Sequence, residues 1–333
     1  MADRRELANE QFQNDLDLIK RQLAEQSYRI SELERLRHQQ RSVTEKFRPT
    51  LWEYRQYPPR TLQVPSDYEN QQYPRPAPTI AIVTPSFNSA QFLAQTVDSV
   101  VNQGYPQLAY AVQDGGSTDG TKELLAAKDS RLSWRSEPDA GQADAINRGF
   151  NAISGDIMGY LNSDDLLLPG TLAYIANEFA RRPDVDILYG NRITIDNLGS
   201  EIGRIVLPPH DSKALRWLDF IPQETMFWRK QVWDKIGPLD NNFRFAMDWD
   251  FILRAQRAGF KFRRTPRFLA CFRIHMGQKT VTMTSIGHDE QQRLRQTHLG
   301  YLPSKRHIRR HCMLYLWKQV LFQRLYKSGF IKI

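Results

Sequence analysis

Three stretches in the middle of the chain constrain its fold more than anything else in it. Each is a short apolar run that ends in a polar cluster: Thr84–Asn88, Asp114–Thr121 and Asn162–Asp165. Between the runs lie amphipathic segments. In SAQFLAQTVDSVVNQ, for example, Phe92, Leu93, Thr96, Val97 and Val100 share one helical face. TIAIVTPSFN, LAYAVQD, LSWRSEP, DIMGYLNSDD and VDILYGNRITID read as strands, with TKELLAAK, DAGQADAINRGFNAI and LPGTLAYIANEFARRP as helices between them. Strands alternating with helices predict an α/β fold, a mostly parallel sheet covered on both faces. Ligands bind such sheets beyond the carboxyl ends of the strands. All three polar clusters fall there.

Four segments follow from composition. Residues 1–45 are polar and lack Gly and Pro, with Phe12, Leu16, Ile19, Leu23, Ile30 and Leu33 at alternating spacings of four and three once Gln26 fills one seam position. This predicts an amphipathic helix, either packed on its own domain or forming a short homo-oligomeric coiled coil. Residues 46–78 are rich in Pro and Tyr and read as an extended, unpacked linker, with Trp52 and Tyr54 as anchors to a surface. Residues 79–280 form the α/β domain, and 281–333 a basic helical extension.

Charge and cysteine use exclude several classes. The net charge is +9, yet Pro303–Ile333 holds eight Lys or Arg and no acid, which leaves 38 basic against 37 acidic residues elsewhere. A nucleic-acid-binding domain should carry its own basic face, so that reading loses ground. Two cysteines exclude a disulfide scaffold and a cysteine zinc site, and fit a reducing compartment. MADRRELANEQ has no apolar signal core, so the expected location is cytoplasmic.

The clusters themselves suggest chemistry. Adjacent Asp164 and Asp165 at a strand end would repel unless a cation or donors offset them. Such oxygens suit Mg²⁺ or Mn²⁺; a helix cap is the plain alternative. In QDGGSTDGT the glycines permit close approach of the backbone to a ligand, and Asp114 could accept from it. The loop is neither a Walker loop nor GxGxxG. Asp248 and Asp250 stand at the start of a helix, as caps or as a general base. His275 follows another apolar strand and is either structural or a metal partner.

In sequence and order, TPSFN, QDGGSTDGT, SEPDAGQADAINRG, LNSDD and MDWDFILRA resemble the family 2 glycosyltransferases over Thr79–Lys279, about 60% of the chain. The resemblance implies the GT-A fold and inverting sugar transfer from a nucleotide-sugar, by default a UDP-sugar, with a divalent metal. It implies that Thr84, Pro85 and Ser86 line the nucleotide pocket, that Asp114 holds the base with Asp119 nearby, and that Asp139 and Asp144 border nucleotide and sugar. It makes Asp164 a metal ligand with Asp165 beside it, His275 a further metal ligand, and Asp248 the catalytic base. Arg148, Gln223 and Glu224 are candidates for donor or acceptor contact, or for structural ion pairs.

Two positions depart from the pattern. Asn162 stands where the family often has Asp, and Met247 where it often has Glu. These keep a second reading open, a catalytically weak nucleotide-sugar-binding scaffold. The Gln-x-x-Arg-Trp signature of processive synthases is missing, so one or a few additions to a glycan, lipid-linked or protein acceptor are expected. The C-terminal stretch places Leu314, Trp317, Leu321 and Leu325 on or near one face among basic residues. This is the composition of a helix lying on anionic lipid, or of a helix packed on the domain with its charges in water.

Overall fold

The computed structural model describes residues 51–69, 71–128 and 131–333. The expected N-terminal helix or coiled coil lies outside them. Among the described residues, nine strands form one sheet: β1 (Ile80–Ser86), β2 (Leu108–Asp114), β3 (Ser133–Ser136), β4 (Ile157–Tyr160), β5 (Leu166–Leu167), β6 (Ile187–Ile195), β7 (Glu201–Ile205), β8 (Phe227–Arg229) and β9 (Phe262–Arg273). Their order is β3-β2-β1-β4-β8-β6-β9-β5, with β7 on β6.

The first four strands are parallel, as the alternating pattern predicts. Past β4 the sheet is mixed: β8 pairs antiparallel with both β4 and β6, β7 is antiparallel to β6, and β5 to β9, while β6 and β9 run parallel. The helices are α1 (Ala90–Val101), α2 (Thr121–Ala126), α3 (Gln142–Ala152), α4 (Thr171–Arg181), α5 (Ser212–Leu215), α6 (Lys230–Ile236), α7 (Met247–Arg257), α8 (Lys279–Thr282), α9 (Thr284–Leu299) and α10 (Lys305–Lys327).

Side chains alternate across each strand, so one sheet feeds two cores. Ile80 and Ile82 of β1 and Leu188 of β6 join one core with α1 and α4. Ala81, Val83, Ile187 and Tyr189 join the other with α3 and α7. Helix α3 sits so close to β1 that a Cβ on Gly149 would lie 2.4 Å from Val83. That closeness sets the height of the loop before α3 above the strand ends. In register, Ser86 of β1 is level with Asp114 of β2, which is level with Ser136 of β3. The strand ends therefore form one edge.

Residues 51–69 differ from the unpacked linker expected. They have little regular structure beyond a single 3-10 turn at Ser66–Tyr68, but Gln56 donates its backbone N–H to Ile202, Arg60 forms a β-bridge with Glu201, and Tyr68 is buried. Glu201, on β7, is the fastening point. Its carboxylate meets Arg60 at 2.6 Å, Arg204 at 2.8 Å and the Tyr57 hydroxyl at 2.5 Å. Proline removes donors without preventing side chains from packing, which is why this strap holds. The C-terminal helices also pack on the domain: Tyr315 of α10 stacks on Phe220 with ring centres 4.1 Å apart.

Candidate functional site

A cavity of about 1180 Å³ opens at the aligned strand ends. The contact candidates Gln223 and Glu224 line it, and so do six of the eleven residues to which the resemblance gives a role: Pro85, Ser86, Asp139, Asp164, Asp248 and His275. The other five are elsewhere. Thr84 is buried and shares a hydrogen bond with the Tyr110 hydroxyl. Asp114 accepts from the N–H groups of Gly116 and Ser117 and from the hydroxyls of Ser117 and Ser136. Burial alone would raise its carboxyl, but these bonds outweigh burial and hold it low. Its ordinary acceptor sites are thus used in shaping the glycine loop. Asp119 ties that loop to α1, accepting from Ala90 N–H at 2.9 Å and from Thr121. Asp144 pairs with Arg148 at 2.8 Å and caps the start of its own helix through Ala140 N–H. Arg148 also reaches Glu137, so its guanidinium is committed to structure.

The two adjacent acids separate completely. Asp164 lines the cavity, and its Oδ2 lies 2.9 Å from His275 Nε2. Asp165 turns inward, accepting from the backbone N–H of Arg273. Burial, and then the charge of Asp164, push the Asp165 carboxyl well above the usual range. Arg273, also buried, binds the Asp164 carbonyl and Gln95 and so locks the turn from behind. Asn162 does not present its oxygen to the cavity as a free ligand: Oδ1 accepts from Gln142 Nε2 at 2.6 Å. Among the described residues, no group of three or more His, Cys, Asp or Glu is arranged to hold a metal ion.

Asp248 lies in the first turn of α7, accepting from Trp249 N–H at 2.8 Å. Burial is the main influence on its carboxyl, which is pushed up to about 6. Neighbouring Asp250 lies off the cavity and pairs with Arg254 at 2.7 Å. Ala246, the residue that opens α7, has no side chain that could cap it. Instead Glu290 of α9 accepts from the N–H groups of Arg244, Phe245 and Ala246 at 2.8–2.9 Å. Glu290→Ala should leave those donors unpaired and cost roughly 2–3 kcal/mol, read as a lower urea midpoint. Glu290→Gln should keep part of it.

Several lining residues escaped the sequence reading. Arg192 of β6 is buried, 2.9 Å from Glu224, with its guanidinium 4.7 Å from the ring centres of both Trp52 and Phe272. Asp219 stands on the same wall, its carboxyl raised by burial and by the charge of Asp248. No local motif marks either residue. Gln223 bridges the Tyr160 carbonyl and Asn162, and Glu224 serves Arg192, so both are tied into the wall.

The sequence profile of Glycosyl transferase family 2 matches residues 81–238. An uncharacterised glycosyltransferase of Mycobacterium tuberculosis is 34% identical over 183 residues, covering 54% of this chain and 69% of that protein. A PGL/p-HBAD biosynthesis glycosyltransferase of Mycobacterium bovis is 30% identical, over 54% and 70%. Among solved structures, S. aureus TarS superposes with a TM-score of 0.53 at 15% identity, over 74% of this chain and only 44% of TarS. Its 1–349 piece in complex with UDP-GlcNAc gives 0.54 at 16% identity, over 74% of each. The mannosyltransferase PcManGT of Pyrobaculum calidifontis, in complex with GDP-Man and Mn²⁺, gives 0.52 at 18% identity, over 74% and 70%. These structural likenesses establish the GT-A fold. The family profile and relatives at least 30% identical, matched across more than two thirds of their own length, show that the chain belongs to family 2 of the glycosyltransferases.

Proposed function

We propose that the chain transfers a sugar from a nucleotide-sugar to an acceptor hydroxyl with inversion, Asp248 taking the hydroxyl proton. The observation that carries this reading is the meeting, in one cavity, of Asp248 and the Asp164–His275 pair with the ends of β1 and β4. The nucleotide-sugars held by the TarS piece and by PcManGT support it. A carboxyl raised to about 6 by burial is still ionised at neutral pH and is a better proton acceptor than an ordinary one. Attack from the face opposite the leaving group inverts the anomeric centre. The volume exceeds the ~300–1000 Å³ usual for one small ligand, so donor and acceptor fit together.

The leaving diphosphate calls for a counter-charge. A hard carboxylate oxygen and an imidazole nitrogen 2.9 Å apart, facing the cavity, fit a divalent ion such as Mg²⁺ or Mn²⁺ completed by phosphate oxygens and water. Such an ion supplies Lewis-acid stabilisation of the charge that grows on the diphosphate. Asn162, engaged with Gln142, makes the site poorer in charge than an Asp-x-Asp arrangement. We propose few additions per acceptor rather than processive synthesis; among the described residues no helix is long and apolar enough to cross a membrane.

Thermal melting with UDP, GDP, dTDP or CMP, each with Mn²⁺, Mg²⁺ or EDTA, tests the donor site. One nucleotide should raise the midpoint with metal present, by the equivalent of about 2.7 kcal/mol at a hundredfold excess over Kd. Asp164→Ala should remove that gain. A gain unaffected by EDTA would sink the metal assignment, and no gain with any nucleotide would sink the donor site.

A further inference from the structure

Helix α10 has two unlike faces. Toward the domain it buries Cys312, Tyr315 and Gln319. Away from it stand Leu314, Trp317 and Leu321, with 66%, 46% and 53% of their surface exposed. Spacings of three and four put these on one side of a helix. The same rotation brings exposed Arg306 and Arg310 before them, and Arg324 after them, onto that side. Leu302 and Phe330, beyond the two helix ends, are exposed as well.

We propose that this face of α10 docks on an anionic lipid surface, with the helix lying in the headgroup plane. Leucine and indole side chains left in water gain by entering the interface, where tryptophan ring and N–H are both satisfied. Arginines at each end then meet phosphate headgroups. Charge decides among occupants. Residues 1–45 carry nine acidic and eight basic side chains, so they offer little net attraction to an all-basic face. A second copy would set arginines against arginines. An anionic bilayer complements the whole stripe, and it does so whatever reaction the cavity performs.

The test is co-sedimentation of the full chain with vesicles of phosphatidylcholine alone or mixed with phosphatidylglycerol. The chain should sediment only with the mixed vesicles, and less as salt rises. Changing Arg306→Gln, Arg310→Gln and Arg324→Gln together should weaken binding on the order of 100-fold. Trp317→Glu with Leu321→Glu should weaken it at least as much while the thermal midpoint stays put, because both side chains point outward. If that pair fails to fold, Trp317→Ala with Leu321→Ala replaces it. No sedimentation, equal sedimentation with both vesicles, or binding that survives both sets of substitutions overturns the proposal. So does a dimer abolished by these substitutions in a chain that ignores vesicles.

Discussion

Asp248→Asn is expected to lower sugar transfer by roughly 10²–10⁴-fold, the usual worth of a positioned general base. Nucleotide binding should survive, because Asp248 is on α7 and makes no bond to the Asp164–His275 pair. The pH profile of the unmodified protein should rise through about 6 with unit slope, and that limb should vanish in the variant. Stability should move the other way. A carboxyl raised from 3.8 to about 6 holds its proton more tightly in the native state than in the unfolded chain. The native state therefore loses relative stability as pH climbs between those values, and above them bears a cost of up to about 3 kcal/mol. Asn bears no such cost. Melting curves at pH 7 should place the variant above the parent, and at pH 4 the two should coincide. A variant that turns over at the parental rate would remove Asp248 from the chemistry.

The second large effect lies far from the reacting atoms. Glu201→Ala should cost roughly 3–5 kcal/mol, because it leaves the half-buried Arg204 without its counter-charge. Burial alone would raise the Glu201 carboxyl, but hydrogen bonds from Arg204, Tyr57 and Arg60 outweigh burial and hold it at about 2. A carboxyl depressed in this way contributes stability that is complete above its unfolded value of 4.5 and drains away as pH falls toward 2. The gap between parent and variant in urea titrations should therefore be widest at neutral pH and close on acidification. A gap independent of pH would assign the loss to packing alone. Because Glu201 fastens the strap that brings Trp52 and Tyr54 to the cavity, the variant should also raise KM for substrate.

What could be read in the residues, and what could not, divides by range. β1 to β4 announce themselves as elements because each strand, its helix and its polar end are contiguous, although their order is not local: β1 pairs with β4 through Ile80 and Ile157. The far half depends on pairings such as β6 with β9, whose partners stand some 75 residues apart. No local period encodes that. Asp164 and Asp165 are equivalent in a motif, but successive side chains leave a chain in different directions. One meets His275 and the other the backbone of Arg273. The same holds at QDGGSTDGT: a carboxylate among glycines suggests a ligand, whereas Asp114 spends its oxygens on the loop itself. Arg192, Asp219 and Glu290 carry no sequence mark, since what defines them is the partner that folding delivers.

The matched family segment, residues 81–238, contributes Pro85, Ser86, Asp139 and Asp164 to the cavity. Trp52 and Tyr54 precede it, and Asp248, Phe272 and His275 follow it. Grafting that segment alone into a relative would leave behind Trp52, Tyr54, Asp248, Phe272 and His275 of the lining. Modularity in this fold therefore does not run along the chain, and a working chimaera would have to exchange the strap and the stretch from α7 to α8 together.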